Sequence, residues 1–363
     1  MRTPPPAAVR AVQRVSAALD RASAVLKPPR ARFLEVSGSM AATMLLRAAV
    51  HTRLAEPLAA GPRTAAQIAD ELGLHADTVH RVLRGLAVYG LLRLDRHGRF
   101  TLTRTGELLL EDHPHSMAGW IRYATSRAVL EGAMRLPQSL RDGLPAFNAA
   151  TGRSIWEHLA EHPDEEAGFA RTMRELTLMA APLIVAAYPW PERGTVADVG
   201  GGVGAMLAEV LAARPALDGV LVDQAGPLAA SGAYLARRGM AGRVRAVEGD
   251  LFTGFDAAAD VYLLKDVLHD WDDGQCLRIL RTVRSAAGPA ASGQGARVLV
   301  LEWLQEPNAA AFPVSISDVI MLAQTEGRQR SAAEHQALGA AAGFRPGRVI
   351  DTGAYGIVEL IAA

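Results

Sequence analysis

The sequence predicts a parallel α/β sheet domain closed by an antiparallel hairpin, preceded by a mainly helical region that contains a winged helix. Three observations carry that prediction. From Thr195 onward, strand-like runs alternate with helix-like runs, which is the pattern of a parallel sheet covered by helices on both faces. A glycine-rich turn, Gly200 to Gly204, separates the first of these strands from its helix. Between Thr64 and Thr103 the chain reads helix, turn, helix and hairpin. Residues 1–29 are read as a flexible tail and first helix, 30–188 as the winged-helix and helical region, and 189–363 as the sheet domain. Pro189, Pro191 and Gly194 punctuate that last boundary.

Composition sets the outer bounds. A chain of 363 residues, 50% hydrophobic and 21% charged, has the apolar material for about two folded units. Its 38 basic residues balance 38 acidic ones, so no global field draws it to nucleic acid or to an anionic membrane. Cys276 is the single cysteine, which excludes an intrachain disulfide and any multi-cysteine metal centre. No apolar run is read as a bilayer span, and a cytoplasmic location is expected. Lysine occurs only at Lys27 and Lys265, against a background of arginine, which singles out Lys265.

Taken in order, the first ten residues carry three consecutive prolines and are expected to be extended, and Pro28-Pro29 closes the first helical stretch. Apolar positions from Met40 to Ala49 recur at helical spacing. Thr64 caps a helix that Gly73 ends, and Asp77 or Thr78 opens a second, whose apolar face includes Leu83 and Leu86. The alternation in residues 91–103, turning at His97-Gly98, reads as a hairpin. A winged helix raises a DNA-binding or ligand-sensing regulator as one reading. The acidic neighbours Asp70, Glu71 and Asp77 oppose it, and a packing and dimerisation module is the other. From His113 to Pro189 the pattern is mostly helical. Trp120, Trp156, Met173 and Met179 there, with Met321 further on, are read as apolar lining for a small-molecule pocket.

The sheet domain carries the chemistry. Asp198 and the glycines Gly200 and Gly202 end a strand and open a helix, where backbone N–H groups meet a nucleotide-like ligand. The same spacing satisfies the dinucleotide pattern of dehydrogenases, and Asp223, at the end of the second strand, suits ribose hydroxyls in either case. Asp198 separates the two: a carboxylate beside the turn suits the ammonium of a methionine better than a pyrophosphate. Asp250, in Glu248-Gly249-Asp250-Leu251-Phe252, is placed to bond an adenine amino group while Leu251 packs on the ring. Residues 265–273, Lys-Asp-Val-Leu-His-Asp-Trp-Asp-Asp, end the fourth strand at the floor of the crevice.

These motifs, in this order and spacing, closely resemble the caffeic acid O-methyltransferase family and its bacterial relatives acting on phenolic and polyketide natural products. The resemblance spans nearly the whole chain. It implies a Rossmann-like domain that binds S-adenosyl-L-methionine and releases S-adenosyl-L-homocysteine. It also implies a homodimer built through the N-terminal region. Gly200, Asp223, Asp250, Leu251 and Lys265 are implied cofactor contacts, with Phe252 in the same motif and Trp271 flanking. His269 is the candidate general base, read as an unperturbed imidazole near ~6.5 and largely neutral at cytoplasmic pH. Asp270 and Glu302 are its candidate partners, Glu302 the preferred one. No metal is expected, since Asp270, Asp272 and Asp273 run into a helix start and the family works without one. One departure stands out. Gln329, grouped here with the acceptor-lining residues, occupies the place where plant members carry a second catalytic glutamate, and it cannot supply charge. Methylation of a hydroxyl on a small aromatic or polyketide-type molecule is the leading reading. N-methylation and altered chemistry, hydroxylation or decarboxylation, are the alternatives within the fold. The lysine-poor, Ala- and Arg-rich composition suggests a high-GC bacterium and a secondary-metabolite or antibiotic pathway.

Overall fold

The computed structural model describes residues 4–287 and 295–362. By spatial proximity the chain divides into two units, one of Arg14–Leu130 with Asp164–Glu175, the other of Met1–Gln13, Glu131–Pro163 and Leu176–Ala363.

In the smaller unit, Thr64 accepts the N–H of Gln67 while the Gln67 side chain accepts the Thr64 N–H, a reciprocal cap that starts the helix Ala65–Leu72. Gly73, at φ 66°, ends it in the left-handed conformation that glycine tolerates. The helix Ala76–Val88 follows, and strands β1 (Arg63–Thr64), β2 (Leu92–Leu94) and β3 (Arg99–Leu102) pair in the order β1-β3-β2. Ile68, Leu83, Leu86 and Phe100 fill the core between helices and wing. Both helices and the hairpin assigned from sequence are present, the second helix opening at Ala76 with His75 as its cap rather than at Asp77 or Thr78. The sequence reading of the chain start is corrected: a helix runs from Pro6 to Leu26, because proline at the first helical position forfeits no hydrogen bond and the alanines behind it propagate the helix. Residues 1–3 lie outside the described residues. One helical stretch among the described residues, Pro29–His51, is long and apolar enough by length and composition to cross a membrane, which the sequence reading did not anticipate. Two helices meeting at Gly38 make it up, and Arg30, Arg32 and Glu35 lie in the first of them.

The larger unit is a seven-stranded sheet. Its strands are β4 (Gly194–Val199), β5 (Leu217–Asp223), β6 (Val244–Glu248), β7 (Val261–Lys265), β8 (Arg297–Glu302), β9 (Phe344–Asp351) and β10 (Gly356–Ala362), in the order β6-β5-β4-β7-β8-β10-β9. Strands β4 to β8 are parallel, and β10 pairs antiparallel with both β8 and β9. Successive residues of each strand serve opposite faces. Val196, Leu221, Leu263 and Leu299 pack with the helix Ala205–Ala213 and with Ala181, Ile184 and Tyr188; Ala197, Val222, Leu264 and Val300 pack with the helix Asp273–Ala287 and with Leu338. Burial on both sides explains the nearly continuous apolar strands. The order reverses between β4 and β7, so the carboxyl ends of these strands open the crevice in which such sheets bind ligands. Asp198, Asp223, Lys265 and Glu302 all lie at such ends.

Candidate active site

The glycine turn is built by close packing. Gly200, Gly202 and Gly204 have φ of 70°, 59° and 81°, values that only glycine adopts without strain. A Cβ on Gly201 would lie 2.6 Å from both Asp198 Cγ and Leu221 Cδ1, so no larger residue fits. Asp223 Oδ2 accepts the N–H of Gly202 at 2.7 Å, tying the turn to the end of β5. Asp198 is 1% exposed and accepts the N–H of Leu207 at 3.3 Å. Burial pushes its carboxyl up to about 7, partly countered by Lys265. Expected to face the cofactor's ammonium, it first underpins the turn, and its raised pKa marks a carboxylate that a nearby cation would re-ionise.

Asp250 does not cap a helix. Its Oδ1 accepts the N–H groups of Phe252 and Thr253, each at 2.8 Å, in a tight turn that Asp250 and Gly254 close through paired backbone bonds. That turn presents Leu251 and Phe252. The Phe252 ring meets Trp271 edge-on, with centroids 4.8 Å apart, and Trp271 stacks on Trp156 at 5.7 Å. Lys265 is buried in contact with Asp266, whose Oδ2 also accepts the Tyr355 hydroxyl at 3.0 Å, and the Lys265 ammonium sits 5.0 Å from the Tyr355 ring centre. Sequence reasoning missed Asp266 and Tyr355. Asp266 has φ 52°, unusual for a residue with a Cβ, and no sequence signal announces that.

His269 lies in the short turn Leu268–Asp270 after β7. Its backbone N–H donates to Glu302 Oε1 at 3.0 Å, its Nδ1 stands 3.0 Å from Gln329 Nε2, and its Nε2 is 3.6 Å from Asp270 Oδ1, an electrostatic contact too long for a good hydrogen bond. Burial alone would push the imidazole down, but Asp270, Glu302 and Asp266 outweigh it and hold the ring above its ordinary range. This corrects the expectation of an unperturbed histidine. Burial pushes Asp270 up to about 7, against the pull of His269.

Glu302 was expected on the imidazole and is found on the main chain instead. It is wholly buried, with Oε2 3.2 Å from His335 Nε2. Burial would raise its pKa, yet His335 and His269 draw it down to about 2, so it stays ionised. His335, on the helix Ala332–Ala341, was also missed: as one histidine in an unremarked helix it gave no pattern to read. Gln329, at the place of the plant members' second glutamate, sets its amide nitrogen 3.0 Å from both His269 Nδ1 and Ser317 Oγ.

The expected acceptor lining divides. Trp120 packs on the winged-helix core with its N–H on Glu175, and Met173 belongs to that same unit. Trp156 and Met321 belong to the sheet unit, as does Met179, which is 60% exposed. Trp156 and Trp271 face a cavity of about 540 Å³ together with Asn148, Asp270, Gln275 and Gln324. No group of three or more His, Cys, Asp or Glu side chains among the described residues is arranged to hold a metal ion. Cys276 is buried, and burial pushes its thiol up to about 12.

Residues 134–345 match the O-methyltransferase domain family, and residues 34–112 match the O-methyltransferase dimerisation domain. The chain is 37% identical to the 2,7-dihydroxy-5-methyl-1-naphthoate 7-O-methyltransferase of Streptomyces carzinostaticus, over 91% of this chain and 97% of that one. It is 35% identical to the aclacinomycin 10-hydroxylase of Streptomyces purpurascens, over 86% and 83%. Among solved structures, an O-methyltransferase from neocarzinostatin biosynthesis, in complex with S-adenosylmethionine and 2-hydroxy-5-methyl naphthoic acid, superposes with a TM-score of 0.74 and 37% identity, covering 89% of this chain and 96% of that one.

Proposed function

The chain belongs to the bacterial class I S-adenosylmethionine-dependent O-methyltransferases, and from that membership we propose that it methylates a phenolic hydroxyl of a small aromatic or polyketide-type natural product, with His269 as general base. The observation that carries this reading is the setting of His269: a ring at the carboxyl end of β7, held by Glu302 through its main chain and flanked by Gln329 and Asp270. The glycine turn fits the adenosyl cofactor, because Gly202, at φ 59°, leaves open space where a side chain would stand and the buried Asp198 is short of a cation. Asp198, Gly200, Gly202, Asp223, Asp250, Leu251, Phe252, Lys265 and Trp271 would hold it. When bound, S-adenosylmethionine supplies a sulfonium-activated methyl and leaves as S-adenosylhomocysteine.

The chain's own part is to bring the acceptor oxygen into line and take its proton at His269 Nε2. Nε2 can accept only if Nδ1 carries the ring's other proton. In the structure the Gln329 amide presents Nε2 to Nδ1. Turned by half a rotation it presents Oε1, which accepts Nδ1–H and leaves His269 Nε2 as the proton acceptor. Asp270 stabilises the imidazolium that forms. Trp156 and Trp271 offer flat apolar surface to an aromatic acceptor. We place the enzyme in the cytoplasm as a homodimer assembled through residues 34–112, the region matching the dimerisation family.

A second reading is favoured by one observation. A neutral Gln329 beside His269, together with 35% identity to a hydroxylase, suits a relative that binds the cofactor and leaves the methyl in place. One experiment separates the two: transfer of labelled methyl to a panel of hydroxynaphthoic acids and related phenols, with cofactor binding followed by calorimetry. Labelled product that disappears in His269→Ala while cofactor affinity persists establishes the first reading. Binding without transfer across the panel favours the second.

A further inference from the structure

Arg330 is 1% exposed, among the most completely buried side chains in the protein. A guanidinium carries five N–H donors and keeps its charge at any physiological pH, so burying one is tolerated only where every donor finds an acceptor. Here each does. Nε and Nη2 donate to Asp273 Oδ1 at 2.9 and 2.7 Å, Nη1 donates to the carbonyls of Leu268 at 2.8 Å and Arg328 at 3.5 Å, and Nη2 donates also to the carbonyl of Trp271 at 2.8 Å. The two carbonyls of Leu268 and Trp271 bracket His269 and Asp270. One buried fork thus grips the turn on both sides of the imidazole, and Asp273, at the start of the next helix, anchors the fork.

Two neighbours tighten the arrangement. Gln329, the preceding residue, touches His269 Nδ1. Gly327 passes so close that a Cβ there would lie 2.0 Å from the His269 carbonyl oxygen. Residues 327–330 form a saddle under the turn, with contacts to the main chain of 268–271 and to the imidazole. Arg330 makes no hydrogen bond to the His269 ring, and its one bond to a residue assigned to the cofactor goes to the main-chain carbonyl of Trp271.

We infer that Arg330 is a positioning residue, which sets the place of His269 by fixing the carbonyls on either side of it. The inference rests on the reading of His269 as the base, and it is tested without an acceptor so that the two can fail separately. Histidine is isotope-labelled in the full chain saturated with S-adenosylhomocysteine, His269 is assigned by its loss in His269→Ala, and its ring is titrated by NMR. The charged groups acting on that ring are Asp270, Glu302, Asp266 and Lys265, and none of them is altered. Arg330→Lys keeps the positive charge and loses the fork, so a change reports geometry rather than net charge. The expected result is a folded, cofactor-binding variant in which His269 titrates about half a pH unit or more lower, with broadened ring signals, as the ring drifts from its carboxylates. Asp273→Asn, at a 58% exposed side chain that also pairs with Arg328, neutralises the anchor and is expected to shift His269 in the same direction by less. A folded Arg330→Lys with His269 titrating as in the parent overturns the inference. If Arg330→Lys does not fold, Asp273→Asn decides alone, and an unshifted His269 in that variant overturns it equally.

Discussion

Gln329 Nε2 lies 3.0 Å from His269 Nδ1 and 3.0 Å from Ser317 Oγ, so one neutral amide ties the ring to the helix Val314–Gln324. A carboxylate here would accept Nδ1–H in either rotamer, whereas the amide serves in one only. Gln329→Glu is therefore expected to raise the His269 pKa and move the rising limb of the pH–rate profile upward. Gln329→Leu should lower turnover by about ten- to a hundredfold with little change in cofactor affinity. Steady-state kinetics from pH 6 to about 10 test both, and identical profiles for Gln329→Glu and the parent would exclude a tautomer-setting role.

The His269 ring is held above 6.5 chiefly by Asp270, against burial. A base must be neutral to act, so activity should rise as pH climbs through the raised pKa. Asp270→Asn removes the largest opposing charge and should shift that limb to lower pH. The stability sign follows. The raised pKa contributes stability that is complete below the unfolded value near 6.5 and is lost as pH rises through the folded one. Asp270, raised to about 7 by burial, loses stability in the same direction, so in paired melting curves the parent should fall relative to Asp270→Asn as pH rises through about 7.

Asp198, pushed up to about 7 by burial, is expected to make cofactor binding pH-dependent. Affinity for the doubly cationic side of S-adenosylmethionine should strengthen as pH rises through about 7 and the carboxyl ionises. Uncharged adenosine should show no such trend. Calorimetry with both ligands in parallel checks this, and a flat response for S-adenosylmethionine would remove Asp198 from the cofactor's surroundings.

Gly327→Ala should displace the turn that carries His269, because the added methyl would overlap the His269 carbonyl. A loss of about 1–3 kcal/mol in unfolding free energy is expected from such overpacking, with a larger proportional loss of turnover. Denaturant midpoints set beside kcat measure the two effects. Full stability and full turnover would mean that the 327–330 saddle is freely deformable.

Much of this architecture was legible in the chain itself. Strand and helix positions from Thr195 onward, the Thr64 cap and the hairpin at Gly98 follow from short-range patterns, and short-range physics builds them. Asp198, Asp223, Asp250 and His269 sit at strand ends because such sheets present ligands there. What stayed hidden depends on long-range closure. Glu302 reaches the His269 main chain across 33 positions, Arg330 reaches Leu268 across 62, and Tyr355 reaches Asp266 across 89. No local spacing encodes those meetings. The raised pKa of His269 was missed for the same reason, since Glu302 comes from a different strand and burial is a property of the fold.

The row of Phe252, Trp271 and Trp156 has an optical consequence. Two indoles with planes 26° apart and centres 5.7 Å apart are close enough for their excited states to couple, and a phenyl edge bears on one of them. Such a pair gives a distinctive near-ultraviolet circular dichroism signal and an emission sensitive to whatever slides between or beside the rings. The protein thereby carries its own reporter in the lining of the cavity, through which ligand entry becomes visible without a label.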